Sequence, residues 1–143
     1  MNRAKTTRRR GQALVEFALV APIFFLLLFA IIDFGRYVYY VQVLNNAARE
    51  GARYAIVHGP EGIPSTGPPD EPSGAAVTAK VRSYLVGVID GGNLTITPTW
   101  PQGTNGRGNT VNVRVDYQFH SVMPLVPLPT VMVRGESTLV INN

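Results

Sequence analysis

Twenty consecutive residues, Ala13 to Ile32, carry side chains suited to hydrocarbon, with one ionisable exception, Glu16. A helix over this stretch rises about 30 Å, the thickness of a bilayer core. A chain of 143 residues that commits so much of its length to a membrane has room for one further modest domain. Placing a charge inside the hydrocarbon costs roughly 2.5–3.5 kcal/mol on insertion scales, so an intramembrane carboxylate points to function and to a partner cation. Lying only four residues into the stretch, Glu16 also has a plainer reading: it can snorkel to the interface.

The formal charge of +4 does not describe a basic protein. Arg3, Lys5, Arg8, Arg9 and Arg10 hold five of the thirteen basic residues, which leaves eight against nine acidic residues after Gly11, a net of −1. The basic character sits in a short leader, residues 1–11, and a nucleic-acid surface is not expected. Arginines before an apolar helix favour a cytoplasmic N-terminus and an exported C-terminus. A secretory signal peptide fits poorly, because the apolar core is long and no small-x-small cleavage site follows it. The same gap weighs against twin-arginine export. With no cysteine in the chain, disulfides, thiol catalysis and cysteine metal sites are excluded.

The helical pattern outlasts the membrane stretch. Phe34, Val38, Val41, Leu44, Ala48, Ala52 and Ala55 recur at three- and four-residue steps, one apolar stripe. Pro22 interrupts the first half, where membrane helices tolerate proline. From Ile23 to His58 there is none, and Gly59-Pro60 is a stop signal. One helix over residues 12–57 would be roughly 69 Å long. In its outer half Ala47, Gly51 and Ala55 fall four apart, as do Ala48 and Ala52. Such small-residue rows admit another backbone closely, either the chain's own exported domain or another subunit.

Residues 58–74 hold five prolines and four glycines and read as an exposed loop or linker. The exported part, 75–143, predicts one helix and three strands. Ser73 suits the N-cap of a helix over about Ala75–Ile89, with Val77, Val81, Tyr84, Leu85 and Val88 inward. Leu94, Ile96 and Trp100 alternate with threonines as a first strand. Val111, Val113, Val115, Tyr117 and Phe119 alternate with polar residues over Thr110–Phe119, the clearest half-buried antiparallel strand. A third runs over about Val131–Ile141, with Gly135 as a candidate bulge. The fold class is α+β, a small antiparallel sheet covered by the outer half of the long helix. Met123 to Pro129 links the last two strands as an apolar surface loop.

No catalytic pattern emerges. His58 and His120 lack ligand-spaced partners, so no metal or other cofactor is expected, and no nucleophile elbow is present. Gly103-Thr-Asn-Gly-Arg-Gly108 lacks the Gly-Lys-Ser/Thr ending of a phosphate loop, and Asn105-Gly106 reads better as a hairpin turn. The chain is not expected to be an enzyme.

The arrangement Gly11, Gln12-Ala-Leu-Val-Glu16-Phe17 resembles the cleavage region of type IV prepilins. More specifically, GQALVEFALVAPIFFLLLFAIIDFGRYVYY followed by NNAAREGARYA is similar to the TadE-like family of tight-adherence pilus proteins, over about Arg10 to Ala55. The resemblance implies cutting between Gly11 and Gln12 by a prepilin peptidase. It also implies that Glu16 pairs with a freed N-terminal amine, usually a neighbouring subunit's. The D-x-G-R residues Asp33, Gly35 and Arg36, and Ala47, Ala48, Arg49, Glu50, Gly51, Ala52 and Arg53, are then helix-packing residues. The implied partners are the membrane, the peptidase, other pilin-like subunits and the pilus assembly platform. The implied place is the inner membrane and, after assembly, an extracellular pilus. The size suggests a minor subunit. The rival reading is a permanently anchored protein whose exported domain binds a partner.

Overall fold

The computed structural model describes residues 4–89, 91–122 and 130–142, with side chains from Gly11 onward. Its elements are α1 (Ala4–Val57), α2 (Ala75–Leu85), a 3-10 turn (Gly91–Asn93), β1 (Leu94–Thr99), β2 (Thr110–Phe119) and β3 (Val131–Val140). The strands form one antiparallel sheet in the order β1-β2-β3, so the architecture is α+β. The chain divides into two compact units, Met1–Arg36 with Ser121–Pro129 and Tyr37–His120 with Thr130–Asn143. The loop expected over 123–129 lies outside the described residues, as do the first three residues of the leader.

The first unit is dominated by α1, which begins at Ala4 rather than at Gln12. Lysine and arginine are good helix formers, and a glycine inside a helix costs only about 1 kcal/mol relative to alanine. Gly11 is therefore too weak a signal to start or stop this helix. Pro22 lies within it. Among the described residues α1 is the one helix long and apolar enough to cross a membrane.

The second unit holds the core. Leu44, Ala47, Ala48, Ala52 and Ala55 of α1 are buried with Val77, Val81 and Leu85 of α2 and with the inward side chains of the sheet. β2 is the central strand, and Val111, Val113, Val115, Tyr117 and Phe119 are all buried. Tyr40 packs its ring against Tyr117 and Phe119 at 5.2 and 5.8 Å, so helix and sheet lock through aromatic edges. β1 is an edge strand and accommodates Pro98, which could not donate to a second neighbour. On the outer face Asp116 accepts from Arg134 at 2.7 Å and holds that guanidinium above its ordinary pKa.

Several details differ from the sequence expectation, each for a packing reason. Phe34 and Val38, the first members of the apolar stripe, are exposed. Tyr84 faces outward because the buried row of α2 is Val77, Val81 and Leu85, and Val88 does so because α2 ends at Leu85 and Gly87 takes a positive φ of 79°. The N-terminal residue of α2's cap is Gly74, not Ser73. Glu71 reaches forward instead, accepting from the Ala75 and Ala76 amides while Ser73 Oγ donates to it at 2.8 Å.

Gly135 is no bulge, since β3 pairs with β2 in unbroken register from Thr110↔Val140 to Phe119↔Val131. A Cβ at Gly135 would lie 2.2 Å from the Leu44 carbonyl carbon and 2.5 Å from the Asn45 nitrogen. Glycine is there because the helix backbone crosses the strand at that point.

Residues 58–74 are not a free linker. Thr66 and Gly67 are buried, and Gly67, at φ 89°, presses on the Trp100 indole. Asn105 is buried and donates through Nδ2 to the Thr66 carbonyl at 2.9 Å and to Ser65 Oγ at 3.0 Å. It has no positive φ, which excludes the two-residue hairpin turn that Asn-Gly predicts. It pins the proline-rich loop to the β1–β2 connection.

Candidate assembly and processing site

In the first unit, Gly11, Gln12, Val15, Glu16 and Leu19 line one strip of the α1 surface, as steps of four along a helix require. Every residue from Gly11 to Val20 is exposed. A Cβ on Gly11 would meet nothing within 4 Å, so the fold itself makes no demand for glycine at this position. Glu16 forms no hydrogen bond or ion pair with a described residue. The glycine and the carboxylate thus border the same strip of helix surface, Glu16 one turn beyond Gln12.

At the far end of the apolar stretch Asp33 is buried, with 7% of its surface exposed. Arg36 Nη1 donates to it at 2.9 Å from the next turn. Ser121 Oγ also donates to it, and the Val122 amide nitrogen lies 3.0 and 3.1 Å from its two oxygens. A carboxylate with this many donors is strongly satisfied, and charge-assisted bonds of this kind are about twice as strong as neutral ones. Asp33 therefore clasps the chain where it leaves β2. Gly35 is exposed with open space around it. Ser121 and Val122 were invisible to sequence reasoning, because nothing in their own spacing links them to an acid 88 residues away.

The small-residue segment belongs to the second unit. Ala47, Ala48, Gly51 and Ala52 are buried beneath the chain's own domain. A Cβ at Gly51 would lie 2.4 Å from Val81 Cγ2 and 3.3 Å from Val113 Cγ1. Of the two occupants that the small-residue rows allow, the structure supplies the chain's own C-terminal domain. Glu50 lies 3.7 Å from Lys80 across a half-exposed surface, a contact worth little. Arg49 and Arg53 point outward. The expected packing residues thus fall into an Asp33–Arg36 group and an Ala47–Arg53 group in separate units, and Gly11 to Glu16 form a third. His58 stacks on Tyr54 at 4.1 Å with Nδ1 2.9 Å from the Tyr54 carbonyl oxygen.

Residues 11–53 match the family model described as TadE-like protein. Over that segment the chain is similar to TadE-like proteins. The match takes in all three groups, from Gly11 through Arg53. No curated protein and no solved structure matches the chain. The matched segment accordingly comprises the apolar helix and the seam on which the C-terminal domain packs, while α2 and the sheet lie beyond it.

Proposed function

We propose that this TadE-like chain is a pilin-like minor subunit, cut after Gly11 and assembled through the membrane half of α1. One observation carries the reading: an exposed carboxylate, Glu16, with no partner among the described residues, stands five residues beyond a glycine that the fold does not need. Cutting there frees the Gln12 amine. A carboxylate in a low-dielectric bundle is tolerable when a cation neutralises it, and a neighbouring subunit's Gln12 amine supplies that cation and fixes the register. Before the cut the leader arginines hold the N-terminus in the cytoplasm, and the second unit is exported across the inner membrane. The peptidase and the assembly platform are the partners. The role is structural, not enzymatic.

A permanently anchored protein with a partner-binding exported domain is the second reading. It is favoured by the occupied small-residue seam, which leaves less of α1 for subunit contacts. The intact mass of the membrane-extracted protein separates the two. The pilin-like reading expects a chain starting at Gln12; a retained leader in cells with working peptidase overturns it.

A further inference from the structure

Each unit, taken alone, has a feature that points to lipid beyond the membrane-spanning stretch. In the second unit β2 ends and β3 begins at the same edge of the sheet, where Phe119 pairs with Val131 and Gln118 with Met132. Val131 and Met132 are 41% and 50% exposed there. Tyr37, whose ring meets Phe119 at 6.1 Å, belongs to the same end, followed by exposed Val38 and Tyr39. From Tyr37 to Ala48, and again from Tyr117 to Val133, the sequence has no Asp, Glu, Lys or Arg. Exposed apolar residues elsewhere in this unit have charges close by in sequence, as Ile63 has Glu61 and Val88 has Asp90. Tyrosines among uncharged apolar side chains form the composition that settles at a membrane–water interface.

In the first unit the clasp on Ser121 and Val122 is made by Asp33, the residue immediately after the apolar stretch. Val122, held within this unit by Asp33, is 54% exposed. Arg36 neutralises Asp33, so the clasp brings no unpaired charge to that boundary.

We propose that the end of the second unit formed by Tyr37, Tyr39, Val131 and Met132 rests among lipid headgroups at a membrane–water interface. The inference rests on the membrane-spanning reading of α1.

The chain has no cysteine, so single-cysteine reporters are clean. Full-length Leu27→Cys, Tyr39→Cys, Met132→Cys and Val140→Cys variants are labelled with an environment-sensitive fluorophore. They are reconstituted in phosphatidylethanolamine–phosphatidylglycerol vesicles carrying nitroxide lipids, either at headgroup level or deep in the acyl chain. Val140 is the internal control: it is 47% exposed on the same strand, about 26 Å from Met132 at the usual strand rise. The expected result is deep quenching at Leu27, and headgroup-level quenching at Tyr39 and Met132 about threefold or more above that at Val140. Quenching at Tyr39 and Met132 no greater than at Val140, with Leu27 quenched, overturns the interfacial contact alone. An unquenched Leu27 overturns the membrane-spanning reading and the contact with it.

Discussion

Glycines at two positions carry opposite kinds of information. Gly135 is fixed by the fold, since any Cβ there collides with the backbone at Leu44 and Asn45. Backbone cannot step aside as a flexible side chain can, and overpacking of this kind costs roughly 1–3 kcal/mol or more. Gly135→Ala is expected to destabilise the exported domain by about 3 kcal/mol, measured as a lowered unfolding midpoint of the detergent-solubilised chain. Gly11 faces open space, and alanine there would, if anything, favour the helix by up to about 1 kcal/mol. Gly11→Ala is therefore expected to leave unfolding unchanged while sharply reducing the fraction of chain that starts at Gln12. An unchanged cut in that variant would mean the peptidase does not read the glycine.

The elements themselves were largely legible because two periodicities survive in the sequence. Alternation over Thr110–Phe119 placed β2 with its buried face, and the three- and four-residue steps through Leu44, Ala48, Ala52 and Ala55 placed the helix under the sheet. Contacts between elements were not legible, since no local spacing encodes them. Gly135 looked like a bulge because close approach by a distant helix leaves the same residue behind. Asn105-Gly106 looked like a hairpin turn because Asn is also a good buried clamp. Asp33 looked like a helix-packing acid because its partners lie 88 and 89 residues on. The Asn105 clamp is open to test. Asn105→Ala leaves the buried Thr66 carbonyl without its side-chain donor, a loss worth about 1–3 kcal/mol. Hydrogen exchange should then quicken at Thr66, whose amide donates to the His58 carbonyl oxygen at 2.8 Å, while the β2–β3 amides stay protected. Uniform loss of protection would make Asn105 a core residue instead of a loop clamp.

For the molecule as a whole, the division of labour along α1 determines which contacts remain for assembly. Its outer half is committed inward: Ala47, Ala48, Gly51 and Ala52 are covered by the chain's own α2 and sheet. The stretch from Gly11 to Val20 is wholly exposed and offers mainly apolar side chains that lipid satisfies as well as another helix does. Apolar surface alone cannot set which helix goes where in a bilayer, because hydrocarbon does not discriminate. On the pilin-like reading proposed above, Glu16 breaks that degeneracy in both directions. In the single chain it is a cost of roughly 2.5–3.5 kcal/mol if held at full depth; beside a cation in an assembled bundle that cost is offset. Glu16→Ala should therefore make the membrane-resident chain more comfortable and the assembled one less specific. Cutting after Gly11 is expected to continue, since the glycine and leader are intact. The share of protein recovered in sheared pili should fall severalfold while the membrane pool rises, read by quantitative blotting of the two fractions. Glu16→Gln should behave like alanine, because a neutral amide can hydrogen-bond but cannot neutralise an amine. Wild-type recovery in pili for both variants would show that the carboxylate does not direct assembly and would leave only the snorkelling role near the interface.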